Sequence, residues 1–217
     1  MARVERAWDE TPGLRGLVLD SQAGPAHVAP GQYVKITTGT GEGFYALANA
    51  PGEPAELLVK RGSSVADALA ALEMGEEVSM SPAQGKGYPL AAHEGRDIWL
   101  FAAGSGIAPI RATVRAILAE RSRYGDVRLY HGSRTAEEFA YAGEHARWRA
   151  GGIDIFCVVS AAGAAWTGSI GRVQDLLRTP PSPHSVAYVC GMKGMISQVS
   201  ETLCGLGVAK DRIFLNY

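Results

Sequence analysis

The stretch from Asp97 to Arg121, D-I-W-L-F-A-A-G-S-G-I-A-P-I-R-A-T-V-R-A-I-L-A-E-R, constrains the fold more than any other part of the chain. An apolar run of strand length breaks at two glycines and gives way to apolar residues at helical spacing. We therefore predict a strand, a tight turn and a helix. Glycines let a ligand approach the backbone closely, and the free N–H groups of a helix's first turn attract phosphate. The turn from Gly104 to Pro109 is accordingly a candidate phosphate-binding site.

This turn departs from the ordinary dinucleotide fingerprint G-x-G-x-x-G. Pro109 occupies the place of the third glycine, and the next predicted strand ends in Ser133 and Arg134 instead of an acidic residue. On this stretch alone, the two glycines could simply turn a strand into a helix. The rest of the chain has to decide between the two interpretations.

Composition limits the class of protein. The chain has 217 residues, 47% of them hydrophobic and 20% charged, which predicts a globular protein of one large or two small domains. A net charge of −1 gives no basic surface for nucleic acid or an acidic membrane. No apolar run reaches the roughly 18 residues of a membrane span, and the first residues lack a signal-peptide core. We therefore expect a cytoplasmic protein.

Cysteine and histidine usage argues against disulfide and metal chemistry. Three cysteines, Cys157, Cys190 and Cys204, are too few and too scattered for a disulfide framework or a cluster held by four thiolates. The five histidines show no pair at metal-ligand spacing. We expect no metal site.

Residues 1–94 are predicted to form a small antiparallel β-barrel or sandwich. Short segments rich in β-forming residues alternate with Pro/Gly turns. One helix interrupts them at Ser64, where S-V-A-D has the form of a capping box. Strands are expected near 2–8, 14–21, 32–38, 43–48, 55–60 and 76–81.

Residues 95–217 are predicted to form an α/β domain. After the polar linker 91–96, strands and helices alternate, which is typical of a parallel sheet with helices on both faces. A second capping box, T-A-E-E, begins at Thr135. Five strands are expected near 97–103, 126–131, 152–159, 185–190 and 212–216, and helices near 107–122, 135–149, 170–178 and 192–206. Ligands in such sheets bind beyond the carboxyl ends of the strands.

Seven sequence blocks stand out in order along nearly the whole chain. They are P-G-Q-Y-V-K (30–35), F-Y-A-L-A-N-A-P (44–51), V-K-R-G-S-S-V (59–65), S-P-A-Q-G-K-G-Y (81–88), G-S-G-I-A-P (104–109), Y-H-G-S-R-T (130–135) and C-G-M-K-G-M (190–195). Together these blocks resemble the ferredoxin–NADP reductase superfamily, and they look closest to a short branch that lacks an iron–sulfur cluster. The resemblance implies a flavin-binding β-barrel paired with a nicotinamide-nucleotide-binding α/β domain.

The resemblance also implies a set of site residues. The flavin ring and its ribityl chain would lie along Tyr45, Ala46, Leu47 and Ala48, and the flavin phosphates at Ser63, Ser64 and Val65. The nucleotide would be bound by Gly104, Ser105, Gly106, Ile107, Pro109, Ser133, Arg134, Gly191, Met192 and Met195. The catalytic residues would be Cys190, beside the nicotinamide, and Tyr217, against the flavin. Tyr217 could instead simply end the last strand.

One departure from the family pattern affects the flavin. The family usually carries Arg-x-Tyr-Ser at the flavin, with the arginine binding phosphate, whereas this chain has Gly43-Phe44-Tyr45-Ala46. Lys60 or Arg61 could supply the missing charge. If neither does, the flavin would bind weakly, or FMN would replace FAD because only the diphosphate needs that grip.

The nicotinamide nucleotide is NADPH or NADH. Arg134 follows the second strand of the α/β domain, where a 2′-phosphate could be met and where no carboxylate is available for a free ribose. The arginine that NADPH users often carry after the next strand is absent, since Ser160 is followed by Ala161. The pattern leans toward NADPH.

The expected activity is hydride transfer from NAD(P)H to bound FAD, followed by electron transfer to an external acceptor, a ferredoxin-like protein or a small molecule. Two alternatives remain open. The chain could be a diaphorase-like subunit of a larger complex, or it could be a binding or regulatory module of the same fold without flavin, as Gly43 and Ala46 would suggest.

Overall fold

The computed structural model describes residues 1–20, 27–177 and 180–216, which form two lobes, each built on one six-stranded sheet. We call them the antiparallel lobe and the parallel lobe after their sheets. Tyr217, one of the two predicted catalytic residues, lies outside the described residues.

The antiparallel lobe confirms the predicted strands to within a few residues at each end. Its sheet has the order β4-β3-β6-β1-β2-β5, and one helix, α1 (Ser64–Ala70), follows β5. The strands are β1 (Ala2–Thr11), β2 (Leu14–Asp20), β3 (Tyr33–Thr38), β4 (Gly41–Ala46), β5 (Ala55–Lys60) and β6 (Glu77–Met80).

The edges of this sheet meet at one point. An isolated antiparallel bridge joins Leu47, just beyond β4, to Leu57 in β5. Both leucines are buried in the core of this lobe, with Leu17, Ile36 and Leu69 of α1. The sheet therefore curls round its own core, although its closure rests on a single bridge where the barrel prediction expects a full ladder.

The parallel lobe is confirmed as an α/β domain. Its parallel sheet has the order β10-β9-β8-β7-β11-β12, so β7 and β8 lie at the centre. The strands are β7 (Ile98–Ala103), β8 (Val127–Ser133), β9 (Ile153–Val159), β10 (Ser169–Ile170), β11 (Val186–Cys190) and β12 (Ile213–Leu215), and the helices are α2 (Ile107–Ala119), α3 (His145–Ala150) and α4 (Lys193–Gly205).

Three sequence-based expectations for the parallel lobe are wrong. The sheet has six strands instead of five, because two exposed residues, Ser169 and Ile170, pair with the end of β9. The helix expected over 135–149 is two short 3-10 turns followed by α3, since Tyr141 takes a left-handed conformation with φ 59°. In place of the helix over 170–178, a 3-10 turn spans Val173–Leu176.

The two predicted capping boxes also differ from the structure. The N-cap of α1 is Ser63 rather than Ser64: its hydroxyl accepts a hydrogen bond from the backbone N–H of Ala66. Asp67, the predicted partner, accepts from the N–H of Gly62. At Thr135 a short 3-10 turn begins without a side-chain cap.

One hydrophobic core joins the lobes. It combines Leu14, Ala48 and Leu58 of the antiparallel lobe with Ile107 and Ile110 at the start of α2. Residues 91–96, expected to be a linker, are partly anchored, because the ring of His93 lies 2.6 Å from the Tyr188 hydroxyl of β11. The lobes are therefore packed against each other, and this packing sets the shape of the cleft between them.

Candidate functional site

A cleft of about 1540 Å³ separates the two lobes. A pocket for one drug-sized ligand typically has a volume of roughly 300–1,000 Å³. This cleft exceeds the upper end of that range by about half. Both lobes line it: from the antiparallel lobe come the end of β1, strand β4 and the start of α1, and from the parallel lobe come the loops after β7, β8, β9 and β11. The carboxyl ends of four parallel strands thus meet the antiparallel sheet, as the sequence predicts.

The turn after β7 needs its two glycines for different reasons. Gly104 has a φ of +56°, and a Cβ there would meet no atom within 4 Å, so it faces open space in the cleft. Gly106 has ordinary helical angles, but a Cβ there would lie 2.4 Å from the carbonyl oxygen of Cys190. The turn is therefore pressed against the end of β11 while its other face stays open to a ligand.

Four predicted turn residues line the cleft and one does not. Gly104, Ser105, Gly106 and Pro109 lie on its surface. Ile107 is fully buried in the core that joins the lobes. A side-chain contact between Ile107 and a ligand is therefore incompatible with this packing.

Strand β4 contributes only half of the predicted flavin contacts. Tyr45 and Ala46 line the cleft, whereas Leu47 and Ala48 are buried in the two hydrophobic cores. The Tyr45 ring lies over Gly43, where a Cβ would come within 2.9 Å of it. The ring thus occupies the space beside Gly43.

The two candidate cations near α1 have different surroundings. Lys60 is exposed and lines the cleft with Ser63, Ser64 and Val65. The Arg61 guanidinium lies 3.0 Å from the Asp9 carboxylate, and Arg61 is not in the cleft. The hydrogen bond from Arg61 holds the pKa of Asp9 below its usual value. Between the two, Lys60 is the cation available to a phosphate.

Four predicted residues from β11 and α4 line the floor of the cleft: Cys190, Gly191, Met192 and Met195. Met192 is exposed, and Met195 is buried with its sulfur against Gly191. Burial raises the pKa of the Cys190 thiol to about 11. The thiol is therefore uncharged at neutral pH.

The end of the cleft beside β8 and β9 holds both signs of charge. Ser133 and Arg134 line it as predicted, and Arg172, Glu137 and Glu138 line it as well. Arg172 was not among the predicted site residues, because residues 170–178 were expected to form a helix. In the sequence, Gly171 was the available sign of a turn. In the structure it directly follows β10, and its φ of +134° turns the chain back toward the cleft.

A buried arginine, also missed, bridges the lobes behind the cleft. Arg111 of α2 lies 3.0 Å from Glu56 of β5 and 2.7 Å from Glu144, and it donates a hydrogen bond to the carbonyl oxygen of Ala48. Its guanidinium also stacks on the Tyr141 ring at 4.2 Å. Burial alone would lower the pKa of Arg111, but the attraction of Glu56, Tyr141 and Glu144 raises it above its ordinary value.

No group of three or more His, Cys, Asp or Glu side chains among residues 1–20, 27–177 and 180–216 could hold a metal ion. In the same part of the chain, every helix is too short or too polar to cross a membrane.

Comparison with known proteins agrees with this two-lobe site. Residues 100–201 match the family model of the oxidoreductase NAD-binding domain. The chain is 28% identical over 196 residues to the sulfhydrogenase 1 subunit gamma of Pyrococcus furiosus, and the match covers 86% of this chain and 66% of that relative. It is 29% identical over 205 residues to the ferredoxin–NAD(+) reductase component of the alkene monooxygenase system of Xanthobacter autotrophicus, covering 89% of this chain and 62% of the relative. The chain therefore spans slightly less than two thirds of these relatives.

Solved structures share the fold over its whole length. The FAD/NAD-binding domain of a nitric oxide dioxygenase from Vibrio cholerae superposes with a TM-score of 0.85 at 23% identity, covering 99% of this chain and 96% of that one. A ferredoxin NADP+ reductase from Neisseria gonorrhoeae, solved with FAD and NADP, gives a TM-score of 0.81 at 19% identity with the same coverage. The chain therefore shares the two-lobe fold of these structures, and residues 100–201 in its parallel lobe match the oxidoreductase NAD-binding domain.

Proposed function

We propose that this chain is an NAD(P)H-dependent flavoprotein reductase that passes a hydride from the nucleotide to a bound flavin and then electrons to an external acceptor. The observation that carries the proposal is the cleft of about 1540 Å³, whose lining includes both the turn at Gly104–Pro109 and the Lys60–Val65 corner. That volume suits two ligands held side by side. The names of the relatives, which include ferredoxin and cytochrome b5 reductases, support the same class of reaction.

One orphaned polar atom supports a ligand in the flavin half of the cleft. The Thr11 hydroxyl is buried and has no hydrogen-bond partner among the described residues. Thr11 lines the cleft together with Lys60 and Ser63. A buried hydroxyl without a partner costs free energy. A polar group of a bound flavin would satisfy this hydroxyl.

The protein's part in the reaction is to bind and to orient. A flavin accepts hydride from a reduced nicotinamide, and that chemistry belongs to the cofactors. In the proposal, Tyr45 and Ala46 hold the flavin ring, Lys60 and the two serines hold its phosphate, and the Gly104 turn holds the nucleotide's pyrophosphate. Cys190 contributes a neutral, polarisable thiol that adds no charge beside the rings.

The spectrum of the isolated protein tests the proposal. Purified protein is expected to carry FAD, or FMN, and to lose its yellow absorbance under anaerobic NADPH or NADH. The released flavin identifies the cofactor. Protein that stays colourless after incubation with FAD and FMN would overturn the proposal and favour the alternative of a binding or regulatory module, for which Gly43 and Ala46 argue.

A second candidate function is that of a diaphorase-like subunit in a larger assembly. The relative named as a sulfhydrogenase subunit favours it, because that protein is by name one part of a complex. Co-purification of tagged chain with stoichiometric partners, and faster oxidation of NADPH in their presence, would support this candidate. A monomer that reduces small acceptors at full rate without partners would count against it.

The cytoplasmic location also remains a prediction.

Lys60→Ala is expected to weaken flavin binding at least tenfold, because a charge-assisted hydrogen bond contributes about 1.5–3 kcal/mol. Arg61→Ala is the matched control: it removes the neighbouring charge, which is paired with Asp9 outside the cleft. Flavin dissociation constants can be measured by fluorescence titration of the apoprotein. Equal losses in the two variants, or none, would mean that the phosphate is held without Lys60.

Arg134→Ala is expected to raise the KM for NADPH about tenfold more than the KM for NADH. We propose that the guanidinium groups of Arg134 and Arg172, at one end of the cleft, favour a nucleotide with a 2′-phosphate. Glu137 and Glu138 line the same end and would favour a free ribose, which makes the ratio of KM values the informative measurement. Arg147→Ala in α3 is an exposed control that should leave both KM values unchanged. Equal changes for the two nucleotides would remove the proposed role of Arg134.

A further inference from the structure

The buried Arg111 joins the two halves of the proposed reaction site from behind. It lies one turn into α2, the helix that begins directly after the Gly104–Gly106 turn. Its side chain does not line the cleft; it borders a smaller cavity of about 380 Å³ between the lobes. Whatever Arg111 does for the reaction, it therefore does through its neighbours.

The contacts of Arg111 on the antiparallel lobe lie close to the proposed flavin contacts. One guanidinium nitrogen, Nη1, donates to the carbonyl oxygen of Ala48 at 2.9 Å and lies 3.0 Å from the Glu56 carboxylate. The backbone N–H of Ala48 in turn donates to the carbonyl oxygen of Glu56 at 2.8 Å. Ala48 lies two residues beyond Ala46 at the cleft. Arg111 thus holds the end of β4 against the helix that starts at the nucleotide turn.

A second set of contacts fixes the orientation of the guanidinium plane. Its Nε donates to Glu144 at 2.7 Å, and its carbon lies 4.2 Å from the centroid of the Tyr141 ring. The Tyr141 hydroxyl donates to the other oxygen of Glu56 at 3.2 Å. Tyr141 takes its left-handed conformation at this point, which is uncommon for a bulky residue. Side chains from both lobes therefore enclose one planar ion.

Stability alone is a poor explanation for this cluster. The side chains of Arg111 and Glu56 are only 7% and 6% exposed, and apolar residues of similar volume often hold a buried interface equally well. The planar guanidinium, with its rigid set of donors, fixes both the distance and the angle between the groups it joins. The gain from an ion here is a defined geometry between the lobes.

We propose that Arg111 is a positioning residue that sets the separation and angle of the two reacting rings by fixing α2 against the end of β4. The inference rests on the proposed function, because it assumes a flavin on one wall of the cleft and a nicotinamide on the other. Hydride transfer is sensitive to placement: a displacement of about 1 Å can cost about 100-fold in rate. Loss of the fork is therefore expected to slow the chemical step more than it weakens either binding step.

The decisive experiment compares Arg111→Met with the double variant Arg111→Met/Glu56→Gln. The single variant leaves a carboxylate buried without its partner, and the second substitution removes that charge. The double variant is expected to recover most of the melting temperature. Its first-order rate of flavin bleaching at saturating NADPH, measured by stopped flow, is expected to remain at least tenfold below wild type. Flavin content and the nucleotide dissociation constant should stay within about threefold.

Arg115 offers a matched control. It lies one turn further along α2 and also pairs across the lobes, with Glu53 at 2.6 Å, but its side chain is 33% exposed. Arg115→Met is expected to keep the wild-type bleaching rate. Arg111→Lys keeps the charge without the planar fork, and it should also be slow even if the Met variants fold poorly.

Three outcomes would overturn the inference. One is a double variant that regains the wild-type rate together with its melting temperature, which would make the cluster purely structural. Another is Arg111→Lys at full rate, and the third is an equal loss of rate in Arg115→Met. If the wild-type protein itself shows no bleaching by NADPH or NADH, the proposed function fails first and takes the inference with it.

Discussion

Gly106→Ala is expected to destabilise the protein by about 3 kcal/mol and to lower its melting temperature by roughly 10 °C. The new methyl group would lie 2.4 Å from the carbonyl oxygen of Cys190 and 2.8 Å from the backbone nitrogen of Gly191. These are backbone atoms of β11 and its loop, so no side chain can move aside. The turn would have to separate from the end of β11. In the proposed function, that displacement lowers the rate of reduction by NADPH at least 100-fold.

Thermal unfolding followed by circular dichroism measures the first effect, and stopped-flow flavin reduction measures the second. Gly194→Ala in α4 is the control, because a Cβ there would meet no atom within 4 Å and its φ lies outside the left-handed region. It should unfold within a degree or two of wild type. A Gly106→Ala protein with an unchanged melting temperature would refute the close contact between the turn and β11.

Mild acid is expected to destabilise the protein through two histidines of the parallel lobe. His131 of β8 and His145 of α3 are buried, with ring nitrogens 3.4 Å apart. Burial lowers the pKa of His131 to about 3 and that of His145 to about 4, with lesser contributions from His145 and Arg149 respectively. The native protein keeps both rings neutral, whereas the unfolded chain protonates them below a pH of about 6.5. Stability is therefore retained above pH 6.5 and lost as pH falls toward 4.

At pH 5 each histidine is expected to reduce the free energy of unfolding by about 2 kcal/mol, and the two together by about 4 kcal/mol. That is a large part of the roughly 5–15 kcal/mol of a typical domain. Urea unfolding at pH 7.5 and pH 5 measures the loss. His131→Gln should lose about 2 kcal/mol less than wild type between these pH values, whereas His184→Gln, at an exposed histidine, should lose the same amount as wild type. Identical losses in all three proteins would assign the acid sensitivity to other groups.

The parts of the fold that sequence predicts well are those whose signal is local. The strand, turn and helix of Asp97–Arg121 are encoded by one apolar run and one helical stripe, and they appear with ends shifted by at most three residues. The core strands of both lobes were found for the same reason. The short strand Ser169–Ile170 has no such signal, because both of its residues are exposed and only its pairing with β9 defines it.

The errors arise where tertiary contacts override local preference. The sequence over 135–149 favours a helix, but Tyr141 turns into the left-handed region, where it stacks on Arg111 and donates to Glu56. Along the sequence, Arg111 looks like one more charge on a helix. Its partners, Ala48, Glu56 and Glu144, lie between 33 and 63 residues away, so no local pattern could reveal the cluster.

The same distinction holds for the candidate site. Motifs located the glycine turn, the Lys60–Val65 corner and the Cys190 loop, which all line the cleft. They could not separate inward-facing from outward-facing residues: Leu47, Ala48 and Ile107 belong to the cores, and Arg61 pairs with Asp9. Arg172 enters the cleft only because the chain turns back at Gly171.

The ring of Tyr45 lying over Gly43 couples substitutions at these two positions. An arginine introduced at position 43 would bring its Cβ within 2.9 Å of that ring, so the tyrosine would have to move before the new cation could reach a phosphate. An engineered cation at this position would therefore strengthen phosphate binding only together with a second substitution that replaces the Tyr45 ring with a smaller side chain.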